Sequence, residues 1–170
     1  RRDEWRQLNR TLDEWAGTST AAPWERSATD HKFRAAQALK TCWRNALSAG
    51  VSGADELSIL TYDPLPELTA DFAHVRKLSI GGNGITDANA DAFLARFANV
   101  QKLSLGERGS LFGAYMAHEQ ALTTLPLTVT RMSALRKLKF RTAATVMASD
   151  LSSRLSTLTA LEELHLAFLD

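Results

Sequence analysis

Along most of the chain, apolar residues alternate with polar ones over short stretches, and one stretch does so most regularly. In Val75-Arg76-Lys77-Leu78-Ser79-Ile80-Gly81-Gly82-Asn83-Gly84-Ile85, alternation places Leu78 and Ile80 on one face of a short strand and Lys77 and Ser79 on the other. Asn83 is expected to turn the chain, its side chain bonding backbone groups that the turn leaves unpaired. Val100-Gln101-Lys102-Leu103-Ser104-Leu105 repeats the strand 25 residues later, and Leu135-Arg136-Lys137-Leu138-Lys139-Phe140 repeats it 35 residues after that. Leu161-Glu162-Glu163-Leu164-His165-Leu166 follows 26 residues on, and a weaker copy, Ala54-Asp55-Glu56-Leu57-Ser58-Ile59, lies 21 residues before the first.

These positions fit L-x-x-L-x-L-x-x-N-x-L, the leucine-rich-repeat template, with Val or Ile allowed for Leu. A bare apolar pattern arises by chance in a Leu-rich chain; recurrence of Lys-Leu-Ser-(Ile/Leu) at such intervals does not. One unit of this kind cannot cover its own apolar face and needs neighbours. The expected architecture is therefore an α/β leucine-rich-repeat solenoid, a short parallel sheet of about five repeats over residues 51–170. Arg108, Ala143 and Leu169 stand where the template has Asn, so those turns are expected to be less regular.

Ahead of the repeats, Trp5, Leu8, Leu12 and Trp15 recur at helical spacing over residues 3–16, with Asp3 and Glu4 in the first turn. A second helix is predicted from between Pro23 and Thr29 to Ala49, with Ala35, Ala36, Leu39, Cys42, Trp43, Ala46 and Leu47 as its apolar stripe and Gly50 as its stop. The two helices of residues 1–50 would cover the open end of the first repeat. Between the strands, Pro64-Leu65-Pro66-Glu67-Leu68 predicts an irregular return. Thr86 is placed to cap a helix from Asp87 to Phe97 that buries Ala90, Phe93, Leu94 and Phe97. The return from Gly106 to Ala134 is longer than an ordinary repeat and reads as an insertion holding Leu111-Phe112-Gly113-Ala114-Tyr115-Met116 and Leu122-Thr123-Thr124-Leu125-Pro126-Leu127. Leu151, Leu155 and Leu158 predict a last helix or a turn of one.

Composition narrows the function classes. The chain has 170 residues, 45% hydrophobic and 23% charged, with formal net charge +1, which gives no global push toward nucleic acid or a membrane. A basic group, Arg131, Arg136, Lys137, Lys139 and Arg141, would serve nucleic acid only with a steep salt dependence; no nucleic-acid, membrane or small-molecule partner is expected. The chain opens on Arg1-Arg2 and stops inside a repeat, so it is expected to be a piece of a longer protein whose next repeat would cover Leu161, Leu164 and Leu166. Cys42 is the single cysteine, which leaves no internal disulfide and no multi-cysteine metal site. On a helix's apolar stripe it is expected to be a buried structural thiol. His31, His74, His118 and His165 lack paired ligand spacing, and Gly81-Gly82-Asn83-Gly84 lacks the Lys-Ser/Thr of a phosphate-binding loop, so neither cofactor nor metal is expected.

Trp15, Leu39-x-x-Cys42-Trp43-Arg44 and Pro64-x-Pro66-x-Leu68-x-x-Asp71-Phe72-x-His74-Val75-Arg76-x-Leu78 together resemble the repeat region of large Gram-negative toxin-like proteins. Those proteins, of the dermonecrotic-toxin-like kind, carry a C-terminal novel E3 ubiquitin ligase domain. The resemblance covers most of the chain, and is strongest from Leu39 to Ile80. It implies a secreted bacterial effector, delivered to the host cytoplasm, whose repeats select targets for a ligase or restrain it. The partner would be a host protein or the ligase domain itself. Ligases of that family use Cys-x-Asp, whereas Cys42 is followed by Trp43 and Arg44, so this segment is expected to have no catalytic residue of its own.

The surface left to carry function is the outward sheet face. Stacked repeats set equivalent residues ~4.8 Å apart, so Lys77, Lys102 and Lys137 should form a column, beside Ser79, Ser104 and Lys139 and flanked by Glu56, Glu163 and His165. Two ammonium groups ~5 Å apart in water repel by only roughly 0.8 kcal/mol, so the column can exist as a plain solvated face. The functional reading is an anion-friendly partner-binding strip flanked by Glu56 and Glu163, with Lys77, Ser79, Lys102, Ser104, Lys137, Lys139, Glu163 and His165 as the candidate contacts.

Overall fold

A computed structural model describes residues 1–17, 26–48, 50–82, 84–107, 122–143 and 148–169; at 26–30, 107, 142–143, 148–149 and 168–169 it describes the backbone alone. Asn83, Arg108, His118 and the 111–116 stretch lie outside the described residues.

Five strands form one parallel sheet in chain order: β1 (Glu56–Leu60), β2 (Lys77–Gly81), β3 (Lys102–Glu107), β4 (Lys137–Ala143) and β5 (Glu163–Leu169). The alternation that predicts them also sets their register. Leu57, Leu78, Leu103, Leu138 and Leu164 align as one row, and Ile59, Ile80, Leu105, Phe140 and Leu166 as a second. From β1 to β4 both rows are buried; at the β5 edge Leu164 and Leu166 are 41% and 37% exposed. At β4 and β5 the chain stays extended through Ala143 and Leu169, where a template Asn would have turned it.

Each strand after β1 enters the sheet by the same device. The carbonyl of Asp55 accepts from the N–H groups of both Arg76 and Lys77, and that of Arg76 from Gln101 and Lys102. Gln101 does the same for Arg136 and Lys137, and Arg136 for Glu162 and Glu163. Gly82 and Gly106, both at positive φ, follow the strands' second apolar residue, and a Cβ on either would collide with a carbonyl of a neighbouring connection or strand, Thr61 or Arg141. Gly84 lies as close to the carbonyl of Asp63 and bonds the carbonyl of Thr61 at 3.0 Å. The glycine run is thus filled by the chain beside it, and serves close backbone packing.

The connections cover the inner face. The first, between β1 and β2, has no helix but buries Leu65, Leu68, Ala70, Phe72 and Val75. In the second, α3 spans only Ala90–Leu94, shorter than the predicted 87–97, although Ala90, Phe93, Leu94 and Phe97 are all buried. The difference lies at its ends, where Asn89, Arg96 and Phe97 bond three residues back rather than four, tightening the coil out of α-helical geometry. Thr86 is not the side-chain cap; Asn89 Oδ1 instead accepts from the Thr86 N–H at 2.8 Å. Later connections hold α4 (Leu127–Thr130) and α5 (Ala148–Leu155). Polar side chains tie each connection to the next: Thr128 to Asp91 at 2.8 Å, Arg154 to the Leu125 carbonyl at 2.5 Å, and Thr157 to the Thr130 carbonyl at 3.2 Å.

At the opposite edge the sheet is covered. Helix α2 (Arg26–Asn45) lies against β1, and α1 (Arg2–Gly17) lies against α2. Leu8 and Leu12 meet Ala35, Ala36, Leu39, Cys42 and Trp43 in the same apolar cluster that holds the strand residues. Lys40 of α2, itself buried, reaches Asp13 of α1 at 2.5 Å, and the Lys32 ammonium sits 5.3 Å from the ring centre of Trp15. The predicted stripe overruns the helix: Ala46 and Leu47 are exposed, because α2 ends at Asn45 in tight turns that bring Leu47 and Ser48 back onto Arg44 and Asn45.

Candidate functional site

Every second residue of each strand points away from the core, and the register collects these residues into two rows across the sheet. The first row is Glu56, Lys77, Lys102, Lys137 and Glu163; the second is Ser58, Ser79, Ser104, Lys139 and His165. All eight residues expected to form the partner strip therefore share one face, with Lys77, Lys102 and Lys137 in a column as the alternation requires. Much of the face lines an open depression of about 560 Å³, to which Leu57, Leu78 and Leu103 contribute along with the serines and charged residues of the two rows.

The charges are not uniform along the row. Lys77 donates a hydrogen bond to Glu56, and this bond, with the glutamate's charge, raises the Lys77 pKa above its ordinary value. Lys137 donates to Glu163 at 2.5 Å, and that bond holds the Glu163 carboxyl below the usual carboxylate range. Lys102, between them, pairs with no carboxylate among the described residues, although Glu163 feels its charge. The outer glutamates were legible as flanks of the strip; that each would take the lysine next to it was not, because side-chain choice among neighbours depends on rotamers and not on register.

One juxtaposition has no counterpart in the sequence pattern. Cys42 Sγ lies 3.5 Å from His74 Nε2, and the same nitrogen lies 3.0 Å from the Cys42 carbonyl. A thiol beside an imidazole is the arrangement of a nucleophile with its base. Here the nitrogen that bonds the carbonyl does so as a donor, so it has no lone pair for the thiol proton. The thiol is buried, and burial pushes its pKa up to about 11 from 9.0. Iodoacetamide should alkylate Cys42 in the folded protein about 100-fold more slowly than a free thiol, given the smaller thiolate fraction, and rapidly in denaturant. Fast, saturating modification of the folded chain would mark an activated cysteine.

Among the described residues no group of three or more His, Cys, Asp or Glu side chains is placed to hold a metal ion, and no helix is long and apolar enough to cross a membrane. His31 instead meets Tyr62 edge-on at 5.5 Å, and His165 stands on the open face beside Lys139. No family model, curated protein or solved structure matches the chain.

Proposed function

We propose that this segment is a protein-recognition module: a leucine-rich-repeat solenoid over residues 51–170, closed at one end by a two-helix cap over residues 1–50, that binds a protein through its outward sheet face. The observation that carries the reading is the in-register alignment of Lys77, Lys102 and Lys137 beside Ser79, Ser104 and Lys139 on one exposed surface. Such a strip, its backbone positions already fixed by the sheet, presents side chains at set intervals with no backbone left to order, and preorganisation of that kind favours binding. The chain-order parallel sheet and the repeated two-donor entry of its strands support the repeat architecture. On the resemblance of Leu39 to Ile80 alone rests the wider proposal, a secreted bacterial effector acting in the host cytoplasm in which the module selects targets for, or restrains, an E3 ubiquitin ligase domain.

A structural spacer is the second reading, and one observation favours it: Lys77 and Lys137 find their carboxylates within the face itself. A photo-crosslinking residue at Ser58, which is exposed on the second row, separates the two. The recognition module should yield one identifiable host or ligase-domain protein whose purified form binds directly. Reversing Lys77, Lys102 and Lys137 to glutamate should abolish that binding. Two surface ion pairs worth roughly 0–1 kcal/mol each are lost, and two glutamate–glutamate neighbours at roughly 0.8 kcal/mol each replace them. The cost is thus about 2–4 kcal/mol, and the variant should stay folded with an unfolding temperature lower by roughly 5–10 °C. Diffuse crosslinking that the triple variant leaves unchanged would establish the spacer.

A further inference from the structure

Resting on the recognition reading, we infer the chemistry of the partner: an extended peptide with carboxylates at its centre and basic groups at its ends, lying across the strands. The first row runs negative, positive, positive, positive, negative from Glu56 to Glu163, and its outer lysines are already held by those glutamates. What remains to attract a ligand is Lys102 and, one row over on the adjacent strand, Lys139; both are exposed, and neither is ion-paired to a carboxylate of the described residues. Anionic groups are thus drawn to the middle; each outer pair is neutral as a whole but carries its carboxylate outermost, so a ligand's cations sit better than its anions at the two ends.

Dimensions fix the form of the ligand. Five strands ~4.8 Å apart span ~19 Å from Glu56 to Glu163. An extended peptide presents every second side chain to one side, ~6.8 Å apart, so four such side chains span ~20 Å. Lys102 and Lys139, one strand apart and two residues along, are ~8 Å from each other at the backbone, within reach of carboxylates at alternate peptide positions. The surface is an open depression and not an enclosed cavity, which suits an extended chain. A uniformly anionic polymer such as single-stranded nucleic acid would set phosphates against both glutamates.

Two labelled heptapeptides of identical composition test this by fluorescence anisotropy with the intact protein. One is lysine–serine–aspartate–serine–aspartate–serine–lysine; the other exchanges its lysines and aspartates. The acid-centred peptide should bind at least tenfold more tightly than its reverse. Lys102→Glu and Lys139→Glu, which leave both ion pairs in place, should each remove the preference, and Lys102→Ala should weaken it with circular dichroism unchanged. Equal binding of the two peptides, a preference indifferent to Lys102 and Lys139, or tighter binding of a short oligonucleotide would each overturn the inference. Should both peptides fail while the Ser58 crosslink still traps a protein through the lysine strip, recognition stands and the acid-centred ligand falls. Loss of both removes the two together.

Discussion

Trp43→Ala should destabilise the protein by about 3–5 kcal/mol, a large share of the roughly 5–15 kcal/mol that holds a typical domain folded. Trp43 is 6% exposed and sits on the buried side of α2, where its ring stacks on Trp5 of α1 at 5.6 Å between centroids and 25° between planes. The same helix lies against β1, so the indole belongs to the layer that covers the sheet's first edge. Truncation to a methyl removes this apolar surface from both neighbours and leaves a void that two helices, tied by Lys40 to Asp13, cannot close without shifting. Urea unfolding monitored by circular dichroism measures the loss. A change below about 1 kcal/mol would show that α1 and α2 are held by something other than this ring.

Phe72→Ala should cost a similar amount, about 3–5 kcal/mol, for a different reason. Phe72 is fully buried in a connection that has no helix to hold it, and its ring stacks against Phe97 at 5.1 Å, which in turn meets Phe93 at 5.3 Å. The Phe72 N–H bonds the Arg96 carbonyl at 2.9 Å, and its own carbonyl accepts from Val75 at 3.0 Å, so ring and backbone fix the first connection to the second. Phe72→Leu, which keeps most of the apolar volume, should recover most of the loss. If the alanine and leucine variants unfold at the same denaturant concentration, buried apolar volume is not what secures this connection.

The strands were legible because one residue type, a branched apolar side chain at every second position, both forms the strand and decides which face it buries. Leu78 and Ile80 could not change register by one residue without sending Lys77 and Ser79 into the core. The position of the lysine column followed from that alone. Helix ends were less legible, since they depend on where a neighbour stops: Leu47 continues the α2 stripe in sequence but meets no layer, and is 48% exposed. Phe97 is buried as its spacing predicts, yet by a tight turn and not by a helix. The meeting of Cys42 with His74 was invisible, because it depends on how α2 is set against the chain that follows β1, and no local pattern encodes that angle. The ion pairs at the ends of the strip were hidden for a related reason: three lysines and two glutamates in a row admit several pairings, and side-chain geometry selects one.

The double-acceptor carbonyls at the strand entrances have a consequence for how such a surface can change. Asp55, Arg76, Gln101 and Arg136 align the strands through main-chain oxygen, so the register at each entrance is set without using an outward side chain. A substitution at Lys102 or Ser104 alters what the face displays and leaves the lattice of display positions where it was. The face behaves as a fixed line of type in which single characters can be reset, so a lineage carrying it could change what the surface presents by exchanging a few outward residues while the fold beneath stayed the same.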